Sequence, residues 1–92
     1  STPNKMCLDQ NVVGITMPTA NGYIGILPEH AKIVGALSPG YMYISLTNGQ
    51  KKTALINYGM FYFKENKCTP YIQRIHRKRE TSTYKICRYN LL

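Results

Sequence analysis

Tryptophan is absent from this chain, and acidic residues nearly so: only Asp9, Glu29, Glu65 and Glu80 oppose twelve lysines and arginines. Four scattered carboxylates give no paired acid and base. No Ser/His/Asp or Cys/His set has a legible spacing, and no glycine-rich loop is built to cradle a phosphate. Catalysis is therefore not expected. No apolar run approaches the roughly 20 residues that span a bilayer as a helix. The start, Ser1-Thr2-Pro3-Asn4-Lys5, lacks the apolar stretch of a signal peptide. It opens at once on strand-like sequence, so targeting residues or a first strand are expected to precede it. Cysteine is scarce: Cys7, Cys68 and Cys87 are odd in number and widely spaced. This argues against a disulfide framework and fits a reducing compartment. No CxxC occurs, and neither His30 nor His76 has a histidine or cysteine at ligand spacing, so neither a zinc site nor any other cofactor is expected.

What is present is turns and short alternating strands. At 92 residues the chain is one domain with a modest core. Asn21-Gly22 reads as a tight hairpin turn because both residues tolerate positive φ. Pro28 stops the strand Tyr23–Leu27, since proline donates nothing to a ladder. Ser38-Pro39-Gly40 makes the next turn. Further strands are expected at Lys5–Leu8, Asn11–Met17, Ile33–Leu37, Tyr41–Leu46, Lys52–Asn57, Met60–Lys64 and Cys68–Ile75. Val13, Ile15 and Met17 should share one face of their strand, and Met42, Ile44 and Leu46 one face of theirs. Turns recur about every ten residues, the rhythm of a sandwich or barrel. Beyond Arg77 the pattern fades, and residues 80–92 are open between strand, short helix and loop. The division expected is a β domain over residues 1–75 and a basic C-terminal tail over 76–92.

Charge is the compositional outlier, at +8. Arg74, Arg77, Lys78, Arg79, Lys85 and Arg88 fall in one 15-residue segment. Beside Tyr71, Tyr84 and Tyr89 such a run fits nucleic acid, with cations on phosphates and rings on bases. It fits better a solvated tail that lies against acidic neighbours in an assembly, or an anionic surface. No RNP-type aromatic motif or recognition helix accompanies it. Arg74, Arg77, Lys78 and Arg79 are the expected docking residues, and nucleic acid is not the expected partner.

Several pieces in order carry a resemblance. They are the Thr2-Pro3-Asn4 opening, Asp9 to Val13, Pro18-Thr19 before a glycine turn, and Gly25-Ile26-Leu27-Pro28-x-His30-Ala31. Leu37-x-Pro39-Gly40 follows, then the aromatic strand after Gly59 that ends in Asn66-Lys67. Together, from Thr2 to about Thr69, they resemble the N-terminal β-sandwich of the F-type ATP synthase epsilon subunit, called delta in mitochondria. Departures are visible too. The family's Gly-Gly before the last aromatic strand is Tyr58-Gly59, the residue before Ile24 is Tyr23 rather than acidic or polar, and Lys32 replaces a proline.

The resemblance implies an all-β fold, a small two-sheet β-sandwich. A short irregular or partly helical tail would replace the family's C-terminal helical hairpin, whose ATP-binding and inhibitory roles are not carried over. It implies a non-catalytic rotor subunit of the central stalk that joins the gamma subunit to the c-ring and transmits torque for ATP synthesis. The alternative is a small basic β-barrel that binds nucleic acid. Matched positions imply c-ring contact through Asn21, Gly22, Tyr23, Glu29 and His30, and gamma contact through Thr2, His30 and Gly35. His30 beside a proline turn also reads as an ordinary hydrogen-bonded structural residue. A third, small central-stalk subunit is a further expected partner if the enzyme is mitochondrial. The expected location is peripheral, on the matrix side of the mitochondrial inner membrane, with the stromal side of the thylakoid as the alternative.

Overall fold

The computed structural model describes residues 9–29, 31–75, 81–85 and 87–92, with side chains at 74, 75 and 81–85 excepted. It is all-β. Among the described residues nine strands follow in chain order: β1 Gln10–Thr19, β2 Gly22–Ile26, β3 Ile33–Leu37, β4 Gly40–Leu46, β5 Lys51–Ile56, β6 Gly59–Lys64, β7 Lys67–Ile75, β8 Thr81–Lys85 and β9 Tyr89–Leu91. The hydrogen-bonded path runs β3-β6-β7-β9-β1-β4-β5, with β2 added on β1 and β8 on β7. One limb is β2, β1, β4 and β5; the other is β3, β6, β7 and β8. Buried side chains from both limbs meet in one core that includes Met17, Ile26, Met42, Phe61, Phe63 and Ile72. This is a β-sandwich built by one continuous sheet network. Each large apolar side chain buried there contributes about 1.5–3 kcal/mol against the exposed state.

Alternation explains most strands. In β4 Met42 and Ile44 point inward while Tyr41 and Tyr43 point out, and in β6 Phe61 and Phe63 point inward while Met60 and Tyr62 point out. In β1 the expected alternation is wrong at its start. The register shifts between Val12 and Gly14 against β4, so Val13 is an extra residue. A bulge puts two consecutive residues against one partner and resets which face follows. Val12 is therefore buried with Ile15 and Met17, and Val13 is exposed.

The first hairpin turns on Ala20-Asn21, one residue earlier than its sequence indicates, and Gly22 opens β2 with φ 110°. The Thr19 hydroxyl donates to the Gly22 carbonyl at 2.5 Å and accepts from the Asn21 N–H at 3.2 Å. Glu65 and Asn66, both at positive φ, form the two-residue turn between β6 and β7. Pro70 falls where β7 changes neighbour, after Lys67 and Cys68 have paired with β9 and before Tyr71–Ile75 pair with β8.

The C-terminal segment is corrected most. Residues 81–85 and 89–91 are strands, not an irregular or helical tail. β9 lies parallel to β1 and antiparallel to β7, and so closes the gap between the limbs. Tyr89 and Leu91 are buried there. Backbone bonds from Gln10 to Arg88, Leu91 to Asn66 and Leu92 to Val12 hold it. Arg88 adds an exposed ion pair to Asp9 at 2.9 Å. Cys87 is disulfide-bonded, where the sequence argued against a disulfide framework, whereas Cys68 is a buried free thiol. The expected strand at Lys5–Leu8 lies outside the described residues.

Candidate functional site

The described residues among those expected at the c-ring lie at two places in the fold, the β1–β2 hairpin tip and the proline corner. Asn21, Gly22 and Tyr23 sit at the β1–β2 hairpin tip, all exposed. From Gly22 the strand runs back along β1 to Ile26, opposite Ile15. Seven residues later, Glu29 lies on the order of 20 Å away at ~3.3 Å per residue. The Glu29 N–H donates to Asn66 Oδ1 at 2.6 Å, tying the proline corner to the β6–β7 turn. That turn lies beside the start of β1, because Lys67 pairs with Asn90 and Asn90 with Asn11. The hairpin tip and the proline corner are thus opposite ends of the sandwich. Glu29 holds φ 69°, a left-handed conformation that a non-glycine residue rarely takes. His30 and Thr2 lie outside the described residues.

Gly35, the remaining gamma-contact candidate, faces inward. It pairs with Phe61, and a Cβ there would stand 2.5 Å from the Phe61 ring. β3 alternates with Val34 and Ala36 outward and Leu37 buried. No side chain at 35 reaches a partner without displacing a core aromatic. The position is closely packed against Phe61. Gly59 is tighter still, since a Cβ would overlap the Tyr71 carbonyl oxygen. Tyr58, where the resemblance expects a second glycine, is exposed and has no such constraint. Of the basic docking residues, Arg74 lies in β7 with its backbone opposite Ser82 in β8. Arg77, Lys78 and Arg79 lie outside the described residues.

Strand alternation places two exposed apolar faces that a search for motifs overlooks. On the first limb Tyr23, Tyr41 and Tyr43 cluster, with ring centroids 6.0 Å apart for Tyr23–Tyr43 and 6.5 Å for Tyr41–Tyr43. Leu55 extends that face at 70% exposure. The Tyr43 phenol is shifted up, first by desolvation and then by its neighbour Tyr23. On the other limb Val34, Met60, Tyr62 and Tyr71 are exposed. The signal for both was legible as the alternating runs Tyr41-Met42-Tyr43-Ile44 and Met60-Phe61-Tyr62-Phe63. Inside the core, burial pushes the Cys68 thiol up to about 12, and burial followed by Cys68 pushes Tyr89 up to about 12. Neither group is a reactive nucleophile at neutral pH. Among the described residues no three His, Cys, Asp or Glu side chains converge on a metal position.

Comparison with known proteins fits a chain that presents sheet faces and turn-built ends. The family model described as ATP synthase, Delta/Epsilon chain, beta-sandwich domain matches residues 1–78. The ATP synthase epsilon chain of Nitratiruptor sp. is 33% identical over 72 residues, covering 78% of this chain and 56% of that protein. That of Sulfurovum sp. is 35% identical over 68 residues, covering 74% and 53%. The chloroplastic epsilon chain of Pelargonium hortorum is 37% identical over 68 residues, covering 74% and 51%. The chain spans about half the length of the curated relatives it matches. By the family match over most of its length, it belongs to the ATP synthase delta/epsilon chain family through the β-sandwich domain.

Proposed function

We propose that this chain is a non-catalytic rotor subunit of a proton-translocating F-type ATP synthase, joining the gamma subunit to the c-ring and transmitting torque between them. The observation that carries the reading is the family match over residues 1–78. The architecture suits the task. A single core shared by two limbs, with short turns between strands, deforms little under load. The hairpin tip, Asn21, Gly22 and Tyr23, is the proposed c-ring end, and its exposed Tyr23 stands where the family commonly has a polar or acidic residue. Gamma is proposed to lie elsewhere on the surface, with Thr2 and His30 as contacts. The basic residues Arg74, Arg77, Lys78 and Arg79 are proposed to meet acidic side chains of a neighbouring subunit, the third stalk subunit if the enzyme is mitochondrial.

The test is isolation of the native complex through a tag on this chain, with its neighbours identified by mass spectrometry. Gamma and c subunits recovered in fixed ratio to it are the expected outcome. Their absence, with salt-sensitive oligonucleotide binding instead, would favour the nucleic-acid reading. Membrane fractionation in the same preparation decides the compartment. The mitochondrial inner membrane, matrix side, is the proposed location; the chloroplast-named relatives favour the thylakoid as a second reading.

A further inference from the structure

Cys87 leads into the strand that closes the sandwich. It is 2% exposed and alternates inward with Tyr89 and Leu91, while Arg88 between them turns out to Asp9. The Gln10 N–H donates to the Arg88 carbonyl at 3.0 Å, so bonding from β1 to the β9 segment reaches the residue after Cys87. The strand it precedes is short. β9 has three residues and stands between β1 and β7 in the sheet path. The ion pair beside it is exposed and adds little. The chain has three cysteines, of which Cys68 is a free thiol and Cys87 is disulfide-bonded. Count leaves Cys7 as the partner. Cys7 lies outside the described residues, but it is two residues from Asp9, whose carboxylate is 2.9 Å from Arg88. Two residues span up to ~7 Å, which brings Cys7 within bonding reach of Cys87.

We propose that a Cys7–Cys87 disulfide is a redox latch on the closing strand β9, opened by a dithiol reductant. The dithiol attacks the bond as its thiolate, forms a mixed disulfide and then closes to a disulfide of its own. The S–S bond of the chain breaks and takes two electrons, and the two protons of the dithiol end on Cys7 and Cys87. Because Cys87 is covered, exchange at its sulfur waits for β9 to part locally. Oxidised, the bond ties the chain across a loop of roughly 80 residues, a length at which a cross-link restrains the unfolded state strongly. Reduced, β9 keeps its ladder and its buried side chains but loses the tether, so the gap between the limbs opens more often. Cys68 takes no part. It lies opposite Tyr89 on β7, fully buried, and burial holds its thiol protonated. The proposal does not rest on the rotor reading, which uses the family match and the hairpin tip.

The experiment labels the thiols of the full chain once at cell lysis and again after denaturation, then digests without reductant for mass spectrometry. A peptide joining Cys7 to Cys87 is expected, with Cys68 labelled only after denaturation. Thermal unfolding and hydrogen exchange then compare the purified chain with and without dithiothreitol. Reduction should lower the midpoint by about 10 °C or more. It should also speed exchange of the Leu91 and Leu92 amides, bonded to Asn66 and Val12, by at least about tenfold. The Leu46 amide, bonded to Gln50 in the β4–β5 hairpin, should change less. Cys7→Ser should show the lowered midpoint from the start and no response to dithiothreitol. That variant keeps the test valid where Cys87→Ser disturbs the core. Cys7 and Cys87 both labelled at lysis, a bond from Cys87 to Cys68 or to a second chain, or a midpoint unmoved by reduction would each overturn the proposal. So would equal acceleration at Leu46 and Leu91, since the bond would then not act on β9.

Discussion

Gly35 and Gly59 carry the sharpest residue-scale constraints, and both concern space. The Cβ of Gly59→Ala meets backbone, the Tyr71 carbonyl, which cannot rotate away. A cost of at least about 3 kcal/mol is expected, visible as a large drop in denaturation midpoint. Gly35→Ala meets a ring edge instead, and the Phe61 side chain has some freedom to shift, so about 1–3 kcal/mol is expected. Equal midpoints for the two variants would show that the facing atoms do not set the cost. A second prediction follows from Cys68 and Tyr89. Their ordinary values are 9.0 and 10.0, and in the fold both stand at about 12. The neutral forms are favoured when folded, so their stabilisation is fully present below pH 9 and is lost between 9 and 12. Urea unfolding followed against pH should be flat up to the lower limit and then decline. Cys68→Ala lowers stability at every pH by its cavity, but should delay the onset of the decline towards 10, where Tyr89 begins to contribute. An unchanged onset would remove Cys68 as its cause.

The element that decides most is β9, three residues long. Without it β1 and β7 each lose a neighbour, and both limbs present raw edges where they now join. Leu91, buried at the end of β9, should cost about 2–4 kcal/mol when replaced by alanine. Truncation after Ile75 removes β8 and β9 together, so the sandwich itself should loosen. Circular dichroism and dye binding of the truncated chain are expected to report lost packing or aggregation at any salt concentration. A truncated chain as stable as the parent would restore the picture of a tail separate from the β domain. The Arg88–Asp9 pair is too exposed to anchor the strand by itself; the buried Tyr89 and Leu91 and the backbone bonds do so.

For the whole molecule, the separation of the two ends makes the assembly prediction specific. Cysteine introduced at Tyr23 should crosslink to c subunits in the intact complex. Cysteine at Glu29, on the order of 20 Å away along β2, should reach a different neighbour. If both positions capture the same subunit, the hairpin tip and the proline corner share one interface despite their separation. If Tyr23 reaches only the catalytic head, this end is wrongly assigned. The charge of +8 acts at this scale too. It speeds encounter with acidic partners and weakens with salt, while the sheet core does neither.

Local chemistry sufficed for most strands: β2 to β7 lie within one or two residues of where alternation, prolines and turn residues put them. Their signals are short-range, because a strand's period of two and a turn's φ preferences sit inside a few residues. The family, too, was legible from the order of its turn pieces. The bulge at Val13 was not, since a register shift exists only relative to the partner strand β4. Neither was β9, for Tyr89-Asn90-Leu91 is too short to show a period and pairs with Gln10–Val12, 79 positions away. The site followed the same divide. Exposure of Asn21 and Tyr23 follows from their turn, but the inward aim of Gly35 depends on Phe61 across the ladder. That Asn21 and Glu29 belong to opposite ends follows from β2 running extended between them and from the bond of Glu29 to Asn66. Sequence determined which residues turn and which alternate; tertiary structure alone decided which faces and ends they share, because that depends on contacts between residues far apart in the chain.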